Sequence, residues 1–212
     1  AADAGDDGAK IGTELIQPLL KPRELIKSKR LRARWGSLIN DLADLTAGYT
    51  NRRDLDDELR KASERGDLDA VLSLLASGAD ADEAGDEGRN AVINAAWRGR
   101  ERIMQLLLER GVATELPDNS GRTPLMWAAI NGHSDIVRNL VESGANPDQT
   151  DRDGGTGLIR AGWNGHADSV RSLIGAGADV NLPDDNGLTA LAHARREGNA
   201  TIVKALIAAG AR

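Results

Sequence analysis

Glycine recurs along this chain at a fixed spacing of 33 residues, and this spacing constrains the fold more than any other feature. Three series share the period, each at its own position in the repeating unit. They are Gly66, Gly99, Gly132, Gly165 and Gly198; Gly78, Gly111, Gly144, Gly177 and Gly210; and Gly88, Gly121, Gly154 and Gly187. Such a period predicts a repeat array, in which each unit buries its apolar face against its neighbours because it cannot do so alone.

The repeating unit is clearest in residues 122–146, RTPLMWAAINGHSDIVRNLVESGAN. Thr123 can cap a short helix that begins at Pro124, where the missing N–H costs nothing. An Asn-Gly pair ends that helix, and a second helix begins near Ser134 with apolar residues at helical spacing. Gly144 stands where the C-terminal cap of the second helix needs a positive φ angle. The sequence therefore predicts helix, tight turn, helix and an extended hairpin-like link built on Asp-x-x-Gly.

This unit resembles the ankyrin repeat, whose pattern contains Thr-Pro-Leu-His, Ala-Ala, Gly-His and Gly-Ala-Asp. The matching residues are Thr123-Pro124-Leu125, Ala128-Ala129, Gly132-His133 and Gly144-Ala145-Asn146. Met126 and Ile159 replace the usual His, and Asn90-Ala91 replaces Thr-Pro. The resemblance covers residues 54–212 and implies an all-α solenoid of helix-turn-helix units with β-hairpin-like loops. Five repeats are expected, at 54–84, 85–117, 118–150, 151–183 and 184–212.

The first 53 residues differ from the array in composition. Residues 1–10 are small and polar, as in a flexible leader left after removal of a signal peptide or lipobox; the alternative is a terminus trimmed for expression. Residues 11–53 are expected to form helices, one of them starting after Ser37, that cover the open end of the array or bind a partner. Export, with or without a lipid anchor at a removed N-terminus, would favour a periplasmic or other extracytoplasmic location over the cytoplasm.

Charge is unevenly distributed between these two parts. Residues 54–212 hold 17 Lys+Arg against 26 Asp+Glu, a balance of −9, whereas residues 1–53 hold 10 against 7, a balance of +3. No nucleic-acid partner is expected for an acidic array, because phosphate contacts dominate such binding. Residues 21–34 carry seven basic residues and one acid, which fits either a solvated helix face or a patch for anionic lipid or nucleic acid. No apolar run is long enough to cross a bilayer.

The residues give no support to catalytic or metal chemistry. Cysteine is absent. His133 and His166 share one repeat position, which the family resemblance implies is satisfied by hydrogen bonds across the turn. The equivalent residues in other repeats are Asp67, Arg100 and Asn199. His193 lacks partners at the spacing of a zinc site. We predict no enzyme activity, no catalytic residue, no metal and no cofactor.

Tryptophan is over-represented among the aromatic residues, with four Trp, one Tyr and no Phe. The resemblance implies that the first helices and the hairpin tips line a concave groove, into which the two residues before each helix-ending glycine point. Trp97 and Trp163 occupy such positions, and Trp127 lies one helical turn from Ile130. From these positions we expect all three rings to be displayed on one surface. Trp and Arg are enriched among interface hot spots, so this surface is expected to bind a partner. The predicted partner-binding residues are Trp97, Arg98, Trp127, Ile130, Asn131, Arg160, Trp163, Asn164, Arg89, Arg122, Glu87, Arg152 and Asp153.

The predicted function is a non-enzymatic interaction module, monomeric by itself, that binds a partner protein through this Trp/Arg groove. If the leader marks export, the more specific hypothesis is a bacterial inhibitor or immunity-type protein that blocks a toxic or lytic enzyme. The alternative is a scaffold or adaptor that residues 21–34 tether to anionic lipid or nucleic acid. Added salt should abolish tethering of that kind.

Overall fold

The computed structural model describes residues 51–212. By its internal contacts the chain divides into two units, Ala1–Asp54 and Leu55–Arg212. The predicted leader, the basic segment 21–34 and the helix expected after Ser37 lie outside the described residues.

Five helix pairs follow one another in the described part of the chain. The first helices of the pairs, here called inner helices, are α1 (described over 51–65), α3 (Ala91–Trp97), α5 (Pro124–Ile130), α7 (Gly157–Asn164) and α9 (Ala190–Arg196). The second or outer helices are α2 (Leu68–Ala76), α4 (Glu101–Glu109), α6 (Ser134–Glu142), α8 (Ala167–Gly175) and α10 (Ala200–Ala208). From α3 onward each inner helix packs on the next inner helix, and the outer helices pack on one another likewise. The predicted all-α solenoid is confirmed.

The caps follow the chemistry expected from the sequence. The hydroxyl oxygen of Thr123 accepts a hydrogen bond from the backbone N–H of Met126 at 3.3 Å, which satisfies a donor at the start of α5. Thr156 and Thr189 cap α7 and α9 in the same way. Gly144 ends its repeat with a φ of +95°, the left-handed conformation predicted for it.

Each link between helix pairs turns through a tip segment, and the four tips are residues 85–89, 118–122, 151–155 and 184–188. Isolated antiparallel bridges, Thr150 with Thr156 and Pro183 with Thr189, close two of these links as short hairpins. Successive tips are joined by backbone hydrogen bonds, since the N–H of Asp185 donates to the carbonyl oxygen of Asp153 at 3.1 Å. The tips therefore keep a fixed register along the array.

The core consists mainly of Leu, Ile, Val and Ala, as the low aromatic content requires, with Met104 and Met126 added. Small residues let the inner helices approach closely: Ala128 and Ala129 are fully buried. At Gly162 a Cβ atom would lie 3.3 Å from the carbonyl oxygen of Ala190, so a larger residue there would push α7 and α9 apart. Every helix within residues 51–212 is too short or too polar to span a bilayer.

Candidate functional site

A groove of about 1060 Å³ lies over the inner helices of the last three repeats. We call it the C-terminal groove. Its lining residues are Arg122, Ile130, Asp153, Arg160, Trp163, Asn164, Asp184, Asp185, Asn186, Leu188, His193, Arg196 and Glu197. The end of α5, the exposed sides of α7 and α9, and the last two tips thus meet around one space.

A smaller groove of about 320 Å³ lies between α1, α3 and the first tip. We call it the N-terminal groove. Its lining residues are Asp57, Arg60, Lys61, Glu64, Gly85, Asp86, Glu87, Arg89, Asn94 and Trp97. The structure therefore distributes the predicted site over two grooves.

Of the predicted partner-binding residues, six line the C-terminal groove and three line the N-terminal groove. The six are Arg122, Ile130, Asp153, Arg160, Trp163 and Asn164. The three are Glu87, Arg89 and Trp97. Four line neither groove, and they are Arg98, Trp127, Asn131 and Arg152.

The three tryptophans differ sharply in exposure. The side chain of Trp163 is 47% exposed, whereas Trp127 is 9% exposed and Trp97 is intermediate. The rings of Trp97 and Trp127 contact each other, with centroids 6.0 Å apart. Trp163 instead stacks on His193, with centroids 5.2 Å apart and planes inclined by 17°. The expectation that Trp127 is displayed is therefore wrong, and Trp163 is the most exposed of these three residues.

Trp127 can be buried because a residue of the tip before its helix accepts a hydrogen bond from the indole N–H. Its Nε1–H donates to Asp118 Oδ2 at 2.9 Å. The other oxygen of Asp118 accepts the backbone N–H groups of Ser120 and Arg122, at 2.8 and 3.0 Å. A single carboxylate thus fixes both the tip and the indole, and the apolar part of the ring packs in the core.

The same arrangement recurs in the next two repeats with a different donor. Asp151 Oδ2 accepts from Arg160 Nε at 2.8 Å, and Asp184 Oδ2 accepts from His193 Nε2 at 2.8 Å. In each case the donor stands nine residues after the aspartate. This recurring i,i+9 pair of tip aspartate and inner-helix donor was missed in the sequence, although the 33-residue register contains it.

Two arginines in the first half of the array, Arg89 and Arg98, lie against tryptophan rings. The guanidinium carbon of Arg98 lies 3.8 Å from the centroid of Trp97, and Arg98 also forms an ion pair with Glu64 at 2.6 Å. Arg89 lies between the two rings, 4.6 Å from Trp97 and 5.0 Å from Trp127. Both rings therefore already carry cations from within the chain.

In the C-terminal groove the arginine nearest Trp163 is held by carboxylates. Arg160 is 8% exposed, and its NH2 group also bonds to Asp153 at 3.1 Å. Its guanidinium carbon lies 6.0 Å from the centroid of Trp163, at the outer limit of a cation–π contact. The Gly155 backbone makes room for this guanidinium, since a Cβ there would lie 2.7 Å from Arg160 Nε. Arg160 therefore has little charge to offer a ligand.

The pKa of Asp184 reflects its hydrogen bonds, among them the one from His193. Burial disfavours the charged carboxylate, but hydrogen bonds from His193 and from the N–H groups of Leu188 and Asn186 outweigh it. As a result the pKa of Asp184 lies below its ordinary value of 3.8. The carboxylate is a fixed acceptor that positions His193 under the ring of Trp163.

The histidines do not form a metal site within residues 51–212, where no group of three or more His, Asp or Glu residues is arranged to hold an ion. His133 Nε2 donates to the carbonyl oxygen of Trp97 at 3.2 Å, a hydrogen bond to the preceding repeat, whereas the expectation was one across the turn. Arg100 and Asn199, at the equivalent position, bond to Glu64 and Gly162 of the preceding repeat. This position joins repeats and has a structural role.

Similarity to known proteins agrees with the helix pairs described above. A family model described as ankyrin repeats (3 copies) matches residues 59–151 and 158–212, more than half of the chain. No curated protein matches the sequence.

Proposed function

The chain belongs to the ankyrin-repeat family, whose members are generally protein–protein interaction modules, and we propose that it binds a partner protein in the C-terminal groove. The observation that carries this assignment is the half-exposed Trp163, which lines a groove of about 1060 Å³. An exposed Trp in a recess that also offers charged groups has the composition of an interface hot spot.

The preformed backbone of the groove supports the same function. The tip carboxylates fix both the tip loops and the inner-helix side chains beneath them, as at Asp151 and Asp184. A rigid surface loses little conformational entropy on association, so more of the contact energy appears as affinity.

Site-specific photocrosslinking tests the location. A photoreactive amino acid at Asn164, which lines the groove, should capture a partner from native extract. The same group at Ile207, which is 50% exposed on the outer helix α10, should not capture that partner. Capture at Ile207 and not at Asn164 would place the interface elsewhere.

Affinity measurements with the purified partner test the contribution of the ring. Trp163→Ala should weaken binding by about tenfold or more, the loss typical of a hot-spot aromatic. Ile207→Ala is the matched control, because it removes an equally exposed large apolar side chain outside the groove. Equal dissociation constants for the wild type and Trp163→Ala would contradict the proposed function.

We also propose the more specific role of an inhibitor whose partner is a toxic or lytic enzyme. It is tested by adding the purified array to the captured partner. Loss of the partner's catalytic activity at a one-to-one ratio would support it, and full activity in the complex would contradict it.

A further inference from the structure

We infer that the partner segment bound in the C-terminal groove carries an arginine or lysine whose cationic group lies on the open surface of Trp163. This inference rests on the proposed function and adds the chemistry of the guest. It follows from a comparison of two equivalent positions, from the unpaired charges of the groove and from the charge of the whole array.

Trp97 and Trp163 are separated by two repeat lengths and occupy the same position of the unit. At Trp97 two arginines lie over the ring, Arg98 from the next residue and Arg89 from the tip. The residues equivalent to these arginines beside Trp163 are Asn164 and Gly155. Both cation positions that are filled at Trp97 are therefore empty of cationic side chains at Trp163.

Arg160 does not replace the missing cations. It approaches the ring of Trp163 only to 6.0 Å, and its guanidinium is bound by Asp151 and Asp153. His193 covers one face of the indole, yet 47% of the residue remains accessible. The open part of the ring is thus an electron-rich surface over which residues 51–212 place no cation closer than Arg160.

The carboxylates that line the groove supply the complementary charge. Asp184 and Asp153, two acids of the lining, are engaged by His193 and Arg160. The side-chain carboxylates of the other two, Asp185 and Glu197, are exposed and have no hydrogen-bond or ion-pair partner among residues 51–212. A guest placed against the ring would lie in a groove that these two carboxylates line.

One basic residue of the groove is also unpaired within the described range, and this is Arg196. Two unpaired carboxylates against one unpaired guanidinium leave a balance of −1, which a single arginine or lysine of the partner would neutralise. The array as a whole has a net charge of −9 and would also attract a positively charged partner segment. An apolar partner segment would bury these carboxylates without a partner, which costs free energy. An acidic segment would be repelled by them.

Selection from a random peptide library displayed on phage tests this inference on the full chain. Peptides enriched by the wild-type protein should share an arginine or lysine at one fixed position. The best peptide should lose about tenfold or more in affinity when that arginine is replaced by citrulline, which keeps the shape and removes the charge. For a peptide selected with lysine, norleucine serves the same purpose.

The variant Asn164→Arg tests whether the basic residue of the peptide binds on Trp163. It places an arginine directly after Trp163, as Arg98 directly follows Trp97. The chain's own guanidinium should then occupy the ring and weaken binding of the selected peptide by about tenfold or more. Ala208→Arg is the matched control, since it adds the same charge at an exposed position of the outer helix α10. It should leave the affinity within about twofold of wild type.

The outcomes separate this inference from the proposed function. Peptides that bind in a Trp163-dependent manner but lack a basic residue would overturn the inference and leave the groove as the binding surface. Basic peptides that bind Asn164→Arg as tightly as wild type would also overturn it. If no peptide is enriched, the inference fails, while the crosslinking experiment still decides whether a folded partner uses the groove.

Discussion

Trp97 and Trp163 occupy the same repeat position in the two halves of the array, but their surroundings differ. In the second and third repeats, Trp97 and Trp127 contact each other and are covered by Arg89 and Arg98. In the fourth repeat Trp163 stacks on His193 and remains 47% exposed. The comparison teaches that the role of an aromatic residue in a repeat is decided by its neighbours in the adjacent units. Repeat position alone does not decide it.

The largest contrast should appear in stability. Trp127→Ala removes a side chain that is 9% exposed together with the indole hydrogen bond to Asp118. We expect it to lower the free energy of unfolding by about 3 kcal/mol or more, the range for truncating a buried aromatic. Trp163→Ala should cost roughly 1 kcal/mol or less, because nearly half of that residue is already in water.

Urea unfolding of both variants at one pH measures this difference. Similar losses for the two variants would mean that the two rings contribute equally to the fold, and the contrast between the two halves would disappear. A lower midpoint with an unchanged m-value in Trp127→Ala would show that the loss is one of stability and not of cooperativity.

An intermediate effect is expected at the carboxylate beneath Trp163. Asp184→Asn weakens a hydrogen-bonded pair with His193 and two backbone contacts, and should cost about 1–3 kcal/mol at neutral pH. Because the pKa of Asp184 is lowered in the fold, the ionised carboxylate stabilises the protein above its ordinary pKa of 3.8. This stabilisation is lost as the pH falls below that value.

The difference in unfolding free energy between wild type and Asp184→Asn should therefore be full at neutral pH and should shrink at a pH of about 3. Denaturant unfolding of both proteins over this range checks it. A difference that stays constant, or grows as the pH falls, would show that the carboxylate does not stabilise the fold through its charge.

The smallest effect is expected from removing the cation over Trp97. Arg98→Ala deletes an exposed contact with the ring and the ion pair with Glu64, and should cost only about 0.5 kcal/mol. It should, however, open the ring of Trp97 and make it resemble Trp163. Acrylamide quenching of fluorescence, measured in a Trp163→Phe background, should increase on this change. No increase would mean that Arg98 does not shield the ring.

The helix pairs could be predicted from the sequence because their signals are local. Two of the three glycine series mark where the inner and outer helices end, the third marks the tips, and Thr123-Pro124 marks where an inner helix begins. The backbone conformations that these residues require are few, so the fold follows from short stretches of chain.

The site was only partly predictable, because it depends on contacts between adjacent units and between a tip and its helix. The position of Trp127 in the helix suggests display, but Asp118 binds its indole nitrogen and turns the ring inward. His193 was interpreted as a structural residue, and its stacking on Trp163 required the spatial relation of α7 and α9. The recurring spacing from Asp118, Asp151 and Asp184 to a donor nine residues later predicts the hydrogen bonds of Trp127 and His193, but it does not predict the stacking between repeats.

The affinity of Trp163→Ala for the partner captured by the Asn164 crosslink tests most directly whether the C-terminal groove is the binding site. Calorimetric titration of wild type and variant should give dissociation constants that differ by about tenfold or more, while the two proteins unfold at similar urea concentrations. An unchanged dissociation constant, with the variant folded, would contradict the assignment of the groove as the binding surface.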